Sequence, residues 1–180
     1  MTKKEQLLEA ASRVIVQQGL DQLTLDAVAL EAGVSKGGLL YHFPSKDALI
    51  EGMNRKALSF MNQTIHEEIE KLADDDPYRF TKAFAEATLV SLEDPKELNM
   101  NLALLAAAAN QNTLISLWQQ QYAEWQQFLI EESRQTHLAL TLRFACDGLW
   151  FSYMFALAPP DADEARQVIE GILHMMEVEA

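Results

Sequence analysis

Between residues 33 and 46 the chain reads GVSKGGLLYHFPSK. Lys36 and Lys46 offer ammonium donors, Tyr41 a hydroxyl and His42 a ring N–H, groups suited to phosphate oxygens and base edges. Ser35 can cap a helix, and Leu39, Leu40 and Phe43 have helical spacing. Gly37 and Gly38 nonetheless fall in the first turn, where each costs roughly 0.5–1 kcal/mol relative to alanine. Missing side chains let a backbone approach another surface closely, and the free amides of a helix N-terminus attract phosphate. Tight packing between helices is the other use for such glycines.

The elements around this stretch are helical, with no clear alternating strand pattern anywhere. Leu7, Ala10, Ala11, Val14 and Ile15 form one apolar stripe, and Gly19 ends that helix. Thr24 caps a second helix carrying Leu25, Val28, Ala29 and Ala32, which Gly33 stops. The third, capped by Ser35, must end before Pro44, and Ser45 caps a long fourth helix toward Leu72. Two short helices joined by the tight turn Gly33-Val34-Ser35 make a helix-turn-helix unit. Further on, Asp76-Pro77 and Asp94-Pro95 read as N-cap plus first-turn proline. Breaks at Asn110–Thr113, Ser133–Thr136 and Pro159-Pro160-Asp161 then divide the remainder, giving an all-α chain of about nine helices.

Charge separates the two ends. Residues 1–56 hold seven bases and seven acids, so residues 57–180 carry the entire net charge of −13. A polyanion would be repelled by the second part and not by the first. Cys146 is the only cysteine, which excludes an intrachain disulfide and makes a reducing cytoplasm the expected compartment. The first residues lack a secretory pattern, and the apolar run from Gly148 to Ala158 is too short to span a membrane as a helix.

The run TLDAVALEAGVSKGGLLYHFPSKDAL, residues 24–49, resembles the DNA-binding signature of the tetracycline-repressor (TetR-like) family. The likeness of motif covers about residues 5–50; beyond residue 55 it is one of architecture. It implies a helix-turn-helix DNA-binding domain over 1–46 and a helical ligand-binding and dimerisation domain over 47–180. It also implies that Thr24 contacts phosphate, that Lys36 reaches a base edge or phosphate, and that Lys46 holds a phosphate. Ser35, Gly37 and Gly38 complete the turn that meets the double helix, with Tyr41 and His42 on backbone or bases. The family often has a tyrosine where this chain has Leu40, so Leu40 either touches a thymine methyl or joins the core.

For the second domain the resemblance implies a homodimer on a palindromic operator and a repressor released by a small molecule. Its dimerisation residues would lie on the last two helices, at Leu142, Leu149, Phe151, Tyr153, Phe155, Val168, Ile172, Met175 and Met176. Pocket positions would be Phe84, Thr88, Met100, Leu104, Trp118, Tyr122, Trp125, Cys146, Trp150 and Met154, residue types that fit an adaptable pocket or an ordinary core. No lysine or arginine lies between Glu97 and Ile130, which points to an apolar, neutral or cationic effector. Neither a cofactor nor a metal is implied. The histidines at 42, 66, 137 and 174 lack metal-site spacing, and His66 with Glu70 reads as a surface pair. Two rival classes follow: an enzyme, for which no nucleophile–base arrangement exists, and a helical interaction domain whose helix-turn-helix no longer reads DNA.

Overall fold

The computed structural model describes residues 1–108, 112–133 and 135–178, and their side chains apart from those of 105–108 and 112–114. Among the described residues there are nine α-helices and no strand, in agreement with the all-α expectation. They are α1 (Lys3–Gln18), α2 (Leu25–Glu31), α3 (Lys36–His42), α4 (Lys46–Ile69), α5 (Arg79–Leu92), α6 (Pro95–Ala108), α7 (Asn112–Glu132), α8 (Thr136–Met154) and α9 (Ala162–Val178). A 3-10 turn over Leu20–Gln22, which periodicity did not foretell, leads from α1 toward α2. Of the expected break at 110–113, residues 109–111 lie outside the described residues, and so does residue 134 of the break at 133–136.

Local chemistry explains most boundaries. Thr24 and Ser35 accept hydrogen bonds from the third backbone N–H beyond them, those of Ala27 (3.1 Å) and Gly38 (3.1 Å). Gly33 follows the C-cap of α2 with φ +65°, a left-handed conformation that glycine adopts without strain. Asp76 differs from expectation: its carboxylate accepts from the Tyr78 N–H at 2.8 Å, making a turn, and α5 begins only at Arg79.

The chain forms two compact units, Met1–Leu58 with Pro95–Leu117, and Ser59–Asp94 with Trp118–Ala180. The first therefore extends past residue 46 and takes in α6, which packs against α1 and the 3-10 turn. Its core joins Leu7, Val14, Val28, Leu39, Leu49 and Met53 to Met100 and Leu104, all buried. A Cβ on Gly52 would lie 2.6 Å from the Phe43 ring and 3.2 Å from Leu8, so α4 crosses the helix-turn-helix closely. In the second unit α5, α8 and α9 pack on one another around Phe84, Leu129, Leu142, Ile169 and Met176. Both α4 and α7 run unbroken through the divisions between units.

Candidate nucleic-acid interface and effector pocket

The first unit presents α3 outward. Leu39 is fully buried, while Ser35, Lys36, Gly37 and Gly38 are exposed and Tyr41 is 86% exposed. A Cβ on Gly37 would meet nothing within 4 Å, so internal packing does not require a glycine there. At Gly38 the nearest atom would be the Ser35 hydroxyl oxygen at 3.3 Å. Leu40 is 38% exposed, which leaves it free of the core on one side. Thr24 is exposed at the start of α2, His42 is half-buried with its ring edge-on to Tyr41 at 5.1 Å, and Lys46 is half-buried. The Lys46 ammonium lies 3.5 Å from the Leu20 carbonyl, and that of Lys36 2.8 Å from Asp26 at the start of α2. Asp26 belongs to this surface through its pair with Lys36; Leu30 on α2 is 84% exposed and Arg13 of α1 pairs with Glu31 at 2.6 Å, and periodicity gave none of them a role.

Residues of α4, α5, α7 and α8 in the second unit line a small cavity of about 20 Å³. Of the expected pocket residues Phe84, Thr88, Trp118, Tyr122, Trp125, Cys146 and Trp150 line it, joined by Met61 and Asp147. Met100 and Leu104 are core residues of the first unit, and Met154 is half-buried outside the cavity lining. All three tryptophans of the chain are therefore in this lining. Their polar ends are tethered: Trp125 Nε1 donates to Asn62 at 2.9 Å and Trp150 Nε1 to Ser91 at 2.9 Å. Tyr122 donates its hydroxyl to Asp147 at 3.1 Å. Burial pushes the Asp147 carboxyl above its ordinary range, with Arg143 and Tyr122 opposing the rise. Burial also pushes the Cys146 thiol up to about 12, which makes it an inert lining group. Asp147 was missed, yet Arg143 and Asp147 are the only charged residues between Leu138 and Leu157. An i, i+4 charge pair within so apolar a helix was the available signal.

The expected dimerisation residues separate by burial. Leu142, Leu149, Ile172 and Met176 are core residues of their own unit, because α8 and α9 need one face each to pack together. Phe151, Phe155, Val168 and Met175 are exposed by 44–49%, and Phe144, not expected, by 58%. Tyr153 is half-buried and donates its hydroxyl to the Pro160 carbonyl at 2.7 Å. His66 lies 3.5 Å from Glu70 on an exposed face of α4. No described helix is long and apolar enough to cross a membrane.

The family model for bacterial regulatory proteins of the tetR family matches residues 7–53, which hold α2, α3 and their turn. A second, the tetracyclin repressor-like C-terminal domain, matches residues 78–177, more than half of the chain. The chain belongs to the TetR family. TetR-family proteins are non-enzymatic transcriptional regulators that bind DNA operators, dimerise and respond to small-molecule effectors, and this chain is a DNA-binding regulator of that kind. Among similar curated proteins is the HTH-type transcriptional regulator BetI of Vibrio campbellii, 24% identical over 95% of this chain and 90% of that protein. A transcriptional regulator from Pseudomonas aeruginosa shares the fold at a TM-score of 0.77, with 23% identity over 97% of this chain and 90% of that one. The multidrug binding protein EbrR, solved with malachite green, shares it at 0.67, with 22% identity over 94% and 96% of the two chains. EbrR has also been solved with ethidium.

Proposed function

We propose that this TetR-family chain is a homodimeric repressor that holds a palindromic operator through α3 and is released by an organic cation. The observation that carries the DNA half is the outward first turn of α3, where Gly37 has no neighbour in the protein that excludes a side chain. Its natural reading is close approach of the backbone to the major groove, with Thr24, Ser35, Lys36, Gly38, Tyr41, His42 and Lys46 around it on phosphates and base edges. The 38% exposure of Leu40 supports a contact with a thymine methyl. Few of these groups read bases, so phosphate contacts and DNA shape share the specificity. Repression is the usual role in the family.

The effector half rests on Asp147. An aromatic lining favours a flat or quaternary cation through ring faces, and the half-buried Asp147 carboxylate supplies the counter-charge. Malachite green and ethidium, named in the EbrR complexes, are organic cations, and this supports the same class here. A cavity of about 20 Å³ holds little more than one water, so binding has to select a more open conformation. Whatever the ligand gains by preferring that conformation is the most it can take from DNA affinity. The helix α4, continuous between the two units, is the proposed lever.

Fluorescence anisotropy on the duplex upstream of the gene, with a scrambled duplex and two salt concentrations, tests the reading. Salt-sensitive binding at least about 10³-fold tighter than to the scrambled duplex, released by ethidium, is expected. Weak binding without selectivity on every duplex offered would favour the interaction-domain alternative.

A further inference from the structure

The protein already supplies a cation to the proposed pocket. Arg143 stands one turn before Asp147 on α8, with its Nη1 3.3 Å from that carboxylate. Its guanidinium carbon lies 5.7 Å from the centre of the Tyr122 ring and 4.5 Å from that of Phe144. The side chain is only 16% exposed, and its Nε is buried without a hydrogen-bond partner among the described residues. Carboxylate on one side and aromatic faces on the other are the contacts an organic cation would seek. Arg143 satisfies them imperfectly, since one buried donor is unused. Tyr122 and Asp147 are shared between the guanidinium and the cavity lining.

We infer that Arg143 is an internal counter-ion that the effector displaces from Asp147, so that binding exchanges one cation for another. This rests on the reading of the pocket as a cation site. The exchange explains how so small a cavity gains room: a long side chain changes rotamer while the α8 backbone stays intact, and the two lining residues it touches become free to move. It also makes the pocket selective by charge. If Arg143 left Asp147 alone, a half-buried carboxylate would lose its counter-charge and keep only the Tyr122 hydroxyl, which is unfavourable. A neutral ligand cannot offset that loss, whereas a cation can. Arg143 thus sets the affinity for the effector class from outside the cavity wall.

Ethidium binding to the full-length protein, followed by quenching of the three pocket tryptophans, tests the exchange. Arg143→Met, which keeps the apolar stem, is expected to bind ethidium about tenfold tighter, and Asp147→Asn about tenfold weaker. In the double variant the gain from Arg143→Met should disappear, because the carboxylate contested by the two cations is gone. Arg143→Met binding no tighter while Asp147→Asn binds weaker would overturn the exchange and leave the cation pocket standing. No change in either variant would remove the cation pocket itself. Should Arg143→Met fold poorly, the wild-type protein gives the answer: ethidium should accelerate modification of Arg143 by phenylglyoxal, read by peptide mass spectrometry. Unchanged or slower modification in ethidium would overturn the proposal.

Discussion

At Lys36 the DNA-facing surface holds a charge that is already engaged. Its ammonium lies 2.8 Å from Asp26, and the two side chains are 55% and 69% exposed. An exposed pair of this kind is worth at most about 1 kcal/mol, so Lys36 can exchange it for a phosphate or a guanine edge at little loss. The carboxylate remains beside the DNA, however, and repels it. Asp26→Asn is therefore expected to raise operator affinity by about 3–10-fold, with Lys36→Ala lowering it by about tenfold and flattening the salt dependence by about one charge. Titrations of both variants and their combination separate two routes. A gain confined to chains that retain Lys36 means release of that lysine, and an equal gain without it means simple relief of repulsion. Gly37 gives a prediction with opposite signs in one variant. Gly37→Ala should stabilise the protein by about 0.5–1 kcal/mol, since nothing in the structure opposes the methyl, yet weaken operator binding about tenfold if the backbone approaches the groove there. Calorimetry and anisotropy on one sample decide it. These residues were legible because capping, turn and exposure follow from a few consecutive side chains. Asp26 was not, because its partner is ten positions away and an acid at a helix start ordinarily explains itself by the helix dipole.

At the scale of elements, the same distinction between local and distant chemistry decides what the sequence revealed. Thr24, Ser35 and Gly33 act on their own helix ends, and α2 and the start of α3 could be bounded from them. The start of α5 could not, because its cap comes from the end of α7. Glu132 accepts the N–H groups of Phe80 (2.7 Å) and Thr81 (2.8 Å) and the Thr81 hydroxyl (2.8 Å), while Tyr78 at the N-cap position turns its hydroxyl to the Met176 carbonyl and does not cap the helix. A carboxylate on free amides at a helix N-terminus combines charge-assisted hydrogen bonds with the helix dipole. Both helices also line the aromatic cavity, α5 through Phe84 and Thr88 and α7 through Trp118, Tyr122 and Trp125. Glu132→Ala should cost about 2 kcal/mol and lower Tm by roughly 4–8 °C at fixed protein concentration. It should also blunt the tryptophan response to ethidium, whereas Glu132→Gln, which keeps one acceptor, should lose less of both. A Tm within 1 °C of wild type, on the order of the scatter between surface variants, would show that water replaces the cap. The membership of α6 in the first unit was equally hidden: its apolar residues announce burial but not the helix they are buried against.

At the scale of the whole molecule, the exposed apolar faces of α8 and α9 need a cover, and in a family that dimerises the simplest is a second copy. Phe144 and Phe151 share a face of α8 with Gly148, Phe155 follows at its C-cap, and Val168 and Met175 share a face of α9 with Gly171. A Cβ built on either glycine meets nothing within 4 Å in the protomer. A helix-interior glycine costs about 0.5–1 kcal/mol relative to alanine, and the protomer offers no compensation for it. Compensation arises if the partner's helix crosses at these points, where a missing side chain lets two helix axes come together. Gly148→Leu should then leave the helix content of the protomer unchanged while raising the dimer Kd at least about tenfold, measured by sedimentation velocity across a dilution series. Operator affinity should fall in parallel, because one recognition helix alone lacks the effective concentration that its tethered mate provides. Phe151→Asp, which brings a charge into the same face, should dissociate the dimer further and abolish selective binding at any practical concentration. A dimer unaffected by Gly148→Leu but broken by Phe151→Asp would place the contact on the aromatic residues and return the glycine to an unexplained cost. A dimer that survives both would move the interface off this face altogether, and the exposed phenylalanines would then require a different partner.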